Sequence, residues 1–252
     1  MKTVKGEQTM KRTILILAVA ALGTQAFAWE KTVDLKYQGL GAGRSQQIQF
    51  NGHKSNVAAN QQNFKLSKAT LQSGLTPYNN TTQTVYCVDL SQYTDTKNTN
   101  KYEVVTLDGL EALKNASNKN LKIEGLYKLI RSSSASGMGN AFSTKNNDYA
   151  AAFQLITWDV LYDFDGTAGS IDIAKGKFQV GVPMSSAVTH HYNSLKTGLL
   201  NEKNGAAISG IYGLRNDCHQ DYIMAVPEPG TMFGLAMGAA AMLRKRAKKN
   251  AK

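Results

Sequence analysis

A 252-residue chain with a formal charge of +11 invites a nucleic-acid reading, but the charge sits in the wrong places. Residues 29–229 hold 19 of the 29 Lys/Arg and 17 of the 18 Asp/Glu, a net of +2, and show no basic stripe interleaved with aromatics, so no nucleic-acid partner is expected. The body between the basic ends is about 200 residues, enough for one substantial core.

At the N-terminus, Lys11-Arg12 precedes an apolar run from Ile14 to Leu22, and Ala26-Phe27-Ala28 offers an A-x-A cleavage pattern before Trp29. Residues 1–28 therefore read as a secretory signal peptide, with Met1 or Met10 as the start.

From Trp29 the pattern is of strands. Val33, Leu35 and Tyr37 alternate with polar residues, and Ser45 to Phe50 alternates again. Gly39 to Arg44 lies between them and reads as a hairpin connection; it lacks the following helix that a phosphate cradle needs. Asn51-Gly52 is a turn dipeptide, Asn63 to Leu71 suggests a further strand, and Thr84 to Leu90 is rich in β-formers.

After Val104–Leu107 the period changes. Gly109 to Ala116 predicts a short helix, and in Leu121 to Arg131 the residues Ile123, Leu126, Tyr127 and Ile130 fall on one helical face. Ser132 to Gly139 reads as a flexible loop. The densest helical signal runs from Asp148 to Asp163, capped by Asn147 or Asp148, with Gln154 one turn before Trp158. Ser186 to Leu199 predicts another helix packing Val188, Tyr192, Leu195 and Leu199, with His190 and His191 in solvent. Ala206 to Leu214 returns to strand character, and Asp217 to Asp221 leads to the tail. The histidines have no nucleophile motif or third ligand near them, so no metal, cofactor or turnover enzyme is expected.

The tail combines Pro227-Glu228-Pro229, an apolar run from Thr231 to Leu243, and the cluster Arg244-Lys245-Arg246. That order resembles the PEP-CTERM sorting signal of Gram-negative bacteria over residues 226–252. The resemblance implies a short transmembrane helix holding the chain in the inner membrane before processing. It also implies processing by an exosortase near Pro227, Glu228 and Pro229, and delivery to the cell surface or the exopolysaccharide matrix.

Two further residues carry candidate chemistry. Cys87 lies on a predicted strand and Gln154 on the dense helix; a thiol and a carboxamide held together can lose ammonia and form an internal thioester, an electrophile that an amine opens. Tyr86 and Trp158 would wall off water. Tyr86-Cys87-Val88-Asp89 and Phe153-Gln154-Leu155-Ile156-Thr157-Trp158 resemble the Cys–Gln thioester domains of bacterial surface proteins, with Phe153 and Thr157 departing from the usual pattern. The resemblance implies one domain over residues 29–225 and attachment to an amine-bearing surface target. The fold class expected is α+β, a β-rich sandwich or barrel with a helical insertion. The alternative is a surface module that binds matrix carbohydrate or protein without chemistry, its cysteines either paired as Cys87–Cys218 or free.

Overall fold

The structure, a computed structural model, describes residues 30–135 and 140–226. The signal peptide expected at 1–28 lies outside them, as do Pro227, Glu228, Pro229 and the short transmembrane helix expected after them. Among the described residues no helix is long and apolar enough to cross a membrane. Everything below belongs to the unit that begins at Lys31.

Seven antiparallel strands form its sheet: β1 (Thr32–Phe50), β2 (His53–Ser67), β3 (Thr82–Cys87), β4 (Thr99–Val105), β5 (Phe178–Val180), β6 (Ile211–Arg215) and β7 (Tyr222–Ala225). Their order is β2-β3-β7-β6-β4-β1-β5, and β1 also pairs with β2. That extra pairing closes six strands into a ring, so the fold is a barrel rather than a sandwich. Asp34, for example, pairs with Ser67 on one side and Lys101 on the other. Within the ring every strand has a neighbour on both sides, while β5, paired with β1 alone, lies outside it.

The β1–β2 hairpin turns where the sequence places it. Phe50 pairs with His53, and Asn51 (φ 49°) with Gly52 (φ 84°) supplies the two positive φ angles of a two-residue turn that matches strand twist. The glycine run is a correction. Gly39 to Arg44 is no hairpin connection but the middle of one 19-residue strand, with register shifts at Tyr37/Gly39 and Leu40/Gly43. These bulges bend β1 enough to serve several partners. At Gly43 (φ 153°) a Cβ would come within 2.4 Å of the Asn60 Cα, so this close approach admits only glycine.

Among the described residues there are four α-helices: α1 (Glu111–Lys114), α2 (Lys119–Ala135), α3 (Asn147–Asp163) and α4 (Ser186–Asn201). Ser132, Ser133 and Ser134 continue α2 where a loop was expected, returning their hydroxyls to carbonyls one turn back; residues 136–139 of that expected loop lie outside the described residues. In α4 the four expected residues Val188, Tyr192, Leu195 and Leu199 are buried, while His190 is exposed and His191 half-buried.

Helix α3 is the axis of the core. It packs on β1, β2 and β5 on one side and on α2 and α4 on the other. Every residue from Tyr149 to Leu161 is buried, so the single apolar face read from the sequence understates it. Its cap is Asn146, one residue before the expected pair: Oδ1 accepts from the Asp148 and Tyr149 amides at 2.9 and 3.0 Å. The bulge of β1 fixes the same end, since Gly43 N–H donates to Asn147 Oδ1 and Arg44 forks onto Asp148 at 2.9 and 3.1 Å. At the other end the buried Lys122 ammonium donates to the carbonyls of Leu161 and Tyr162 at 2.8 and 2.7 Å, where a helix presents unpaired oxygens and negative partial charge.

Two strands escaped the sequence reading. β5 is three residues, held because the Asp163 carboxylate accepts from the amides of Lys177 and Phe178. β7 directly follows the stretch read as leading to the tail, yet it sits between β3 and β6 in the barrel wall.

Candidate functional site

Three residues of α3 at helical spacing, Gln154, Trp158 and Tyr162, present one face to the end of β3 and the loop after it. Strand β2 leaves β3 after the pair Gln62–Val85, so the backbone of Cys87 lacks a strand neighbour on that side. Gln154 fills the place. Its Oε1 accepts from Cys87 N–H at 3.0 Å and its Nε2 donates to Cys87 C=O at 2.8 Å, the two-bond pattern a strand residue would make. A buried primary amide needs such partners, and a buried backbone pair needs them equally.

Cys87 and Gln154 are thus brought together, with the carboxamide lying against the cysteine backbone. The Cys87 thiol itself donates to Asp89 C=O at 3.2 Å. Burial pushes the thiol pKa up, so it rests neutral; the nearby Trp158 indole acts in the opposite sense. Both cysteines are free, Cys87 buried and Cys218 exposed, so the alternative Cys87–Cys218 disulfide is not formed.

The expected aromatic walls divide. Trp158 lines the space above Cys87 and packs on Phe178. Tyr86 does not. Strand alternation turns it to the opposite face, where it packs between Phe142 and Phe153 and donates its hydroxyl to Ala141 C=O at 2.8 Å.

Above Cys87 and Trp158 opens a cavity of about 350 Å³, and the loop of residues 88–98 supplies much of its wall. The loop is held at both ends. Leu90 N–H donates to the Tyr162 hydroxyl at 2.9 Å, and Asp89 Oδ1 accepts from the Ser91 amide and hydroxyl. Thr94 reaches Gln62, Gln220 and Tyr222 at 3.0, 2.8 and 2.9 Å. Gln220 in turn donates to Asp89 C=O at 2.8 Å, tying the loop to β7. Sequence reasoning missed Gln62, Gln92, Tyr93, Thr94 and Gln220, because a polar loop and an Asn/Gln-rich strand carry no spacing signal. Asp89 alone had a cue, its place in the Tyr-Cys-Val-Asp run.

Beneath this network lies Asp221, fully buried, whose carboxylate accepts from the amides of Glu111 and Asn216 at 2.8 and 2.9 Å. Burial raises its pKa to about 6; the two amides oppose the rise and the Asp89 carboxylate adds to it. Among the described residues no group of three His, Cys, Asp or Glu is placed to hold a metal ion.

Comparison with curated proteins and with solved structures gives no match. The family comparison matches residues 225–247 to the PEP-CTERM protein-sorting motif, beginning at the last residue of β7. That motif marks a bacterial protein exported to the cell envelope or surface and processed by an exosortase.

Proposed function

We propose that the barrel is the working domain of a surface or matrix protein that attaches covalently to its target through a Cys87–Gln154 thioester. The observation that carries this reading is the direct contact between the Gln154 carboxamide and Cys87 at the base of the cavity. The Cys87 N–H already polarises the carbonyl that its own sulfur would attack. The balance is simple: a Cγ–Cδ–S acyl bond forms at Gln154 Cδ, the Cδ–N bond breaks, and the thiol proton leaves with the nitrogen as ammonia. An amine of the target then takes the acyl group and returns the thiol. Before processing the chain is held in the inner membrane of a Gram-negative cell by its C-terminal segment.

A second reading also has an observation behind it. The thiol is neutral and already donating, and both ends of the carboxamide are satisfied, which is what a purely structural clamp requires. The barrel is then a non-covalent binder of matrix carbohydrate or protein.

Intact mass of non-reduced protein made in a periplasm separates the two. The thioester predicts a mass one ammonia below the sequence, methylamine added at Gln154, and loss of both effects in Cys87→Ala and in Gln154→Ala. Cys218→Ala should change neither. Full sequence mass with no methylamine adduct leaves only the clamp.

A further inference from the structure

Two residues that line the cavity above Cys87 each carry a buried polar atom with no hydrogen-bond partner. Among the described residues only three buried side-chain nitrogens or oxygens have no hydrogen-bond partner, and two of them, Trp158 Nε1 and Gln92 Oε1, belong to residues lining this one cavity. Trp158 is 2% exposed. Its indole N–H is a donor only, and although it is close enough to the Cys87 sulfur to act on the thiol, it meets no acceptor at hydrogen-bond geometry. The Gln92 amide is fixed in orientation by its Nε2, which donates to Asp217 C=O at 3.3 Å, so the orphaned atom is the acceptor oxygen. A bond left unmade in this way favours any ligand that can make it.

We infer that this cavity is a site for an uncharged, polyhydroxylated ligand, a saccharide, whose hydroxyls accept from Trp158 Nε1 and donate to Gln92 Oε1. A hydroxyl is both donor and acceptor, which is what one orphan donor and one orphan acceptor demand together. An ammonium fails the test because it has no lone pair for the indole. The walls agree: no lining residue is charged, so nothing there balances a cation. Tyr93, 89% exposed on the loop, offers the mouth an aromatic face against which a sugar ring can lie. Because both orphan atoms lie out of reach of water, entry requires side chains of the 88–98 loop to swing aside.

The inference rests on reading this cavity as the contact site, and it holds with or without the thioester. If the thioester forms, a ligand hydroxyl held here gives an ester in place of the amide that an amine would give: the hydroxyl oxygen bonds to Gln154 Cδ, the Cδ–S bond breaks, and the proton passes to the Cys87 sulfur.

The chain has two tryptophans, so in Trp29→Phe protein Trp158 is the sole indole and reports directly on the site. Its emission is titrated with neutral hexaoses of glucose, galactose, mannose and N-acetylglucosamine, and with Nα-acetyl-lysine amide as the ammonium probe. The expected result is a saturable shift with at least one saccharide and none with the lysine amide. Affinity should be about tenfold weaker in Gln92→Leu, a loop substitution that spares the core. Binding of the lysine amide alone, no binding of any saccharide, or wild-type affinity in Gln92→Leu each overturns the inference. Sequence mass with saccharide binding intact sinks the thioester and keeps the saccharide site; the ammonia deficit with lysine amide binding alone does the reverse.

Discussion

Replacing Asp159 by asparagine should make the protein more stable above neutral pH. Asp159 is fully buried on α3; the Tyr192 hydroxyl from α4 donates to its Oδ2, and Oδ1 has no partner. Burial raises its pKa from 3.8 to about 7, Asp163 and Asp172 push the same way, and Tyr192 and Lys196 oppose them. A carboxyl that holds its proton in the folded state and releases it in the unfolded one favours folding only at low pH. Its contribution is fully present below the unfolded value near 4 and is lost as pH rises through about 7. At 1.36 kcal/mol per pKa unit that span is worth about 4 kcal/mol. Asparagine keeps the shape and an acceptor for Tyr192 but has no proton to lose. Urea denaturation of wild type and Asp159→Asn at pH 4.5, 6 and 8 measures the effect. Asp221 and His191 titrate in both proteins and cancel in the difference. The variant should gain about 3–4 kcal/mol relative to wild type between the lowest and highest pH. A difference that stays constant with pH refutes the argument.

Two other substitutions test the frame of the site. Gln154→Ala orphans the N–H and C=O of Cys87 together and should cost about 3 kcal/mol or more in urea melts, well above Cys87→Ala, which removes only a sulfur. Gly43→Ala forces a Cβ to within 2.4 Å of the Asn60 backbone and should cost about 2–3 kcal/mol; Gly52→Ala, with open space around it, should cost about 1 kcal/mol from its positive φ alone.

Much of the helical layer was legible because helices announce themselves locally. The buried face of α4 follows from spacing alone, and the Asn51-Gly52 turn from backbone chemistry. The barrel was less so. Gly39 to Arg44 looks like a break, and only the partners on either side of β1 make it a bulge. β7 is four residues, too short for its alternation to register, and its burial comes from β3 and β6, which are remote in sequence. The same division runs through the site. Cys87 and Gln154 stand out by residue type and context. The cavity residues Gln92 and Thr94 come from a loop whose composition says only that it is polar, and they gain meaning from the neighbours the barrel brings to them.

The position of β7 also sets a timetable. It is the last strand among the described residues, and the wall between β3 and β6 stays open until it arrives; the pair Val85–Met224 joins residues far apart in sequence. Beyond it Val226 N–H donates to Gly210 C=O at 2.9 Å, in a corner where a Cβ at residue 210 would strike the Val226 carbonyl at 2.4 Å. The sorting match begins at residue 225, so the strand that completes the barrel and the signal that addresses it share their boundary. A chain leaving the ribosome or crossing the membrane N-terminus first therefore cannot close its barrel until the sorting segment is at its heels. Ring closure of this kind is slow, because its contacts are long-range. Folding and sorting thus fall due at the same moment, and a chain truncated before Ala225 can finish neither.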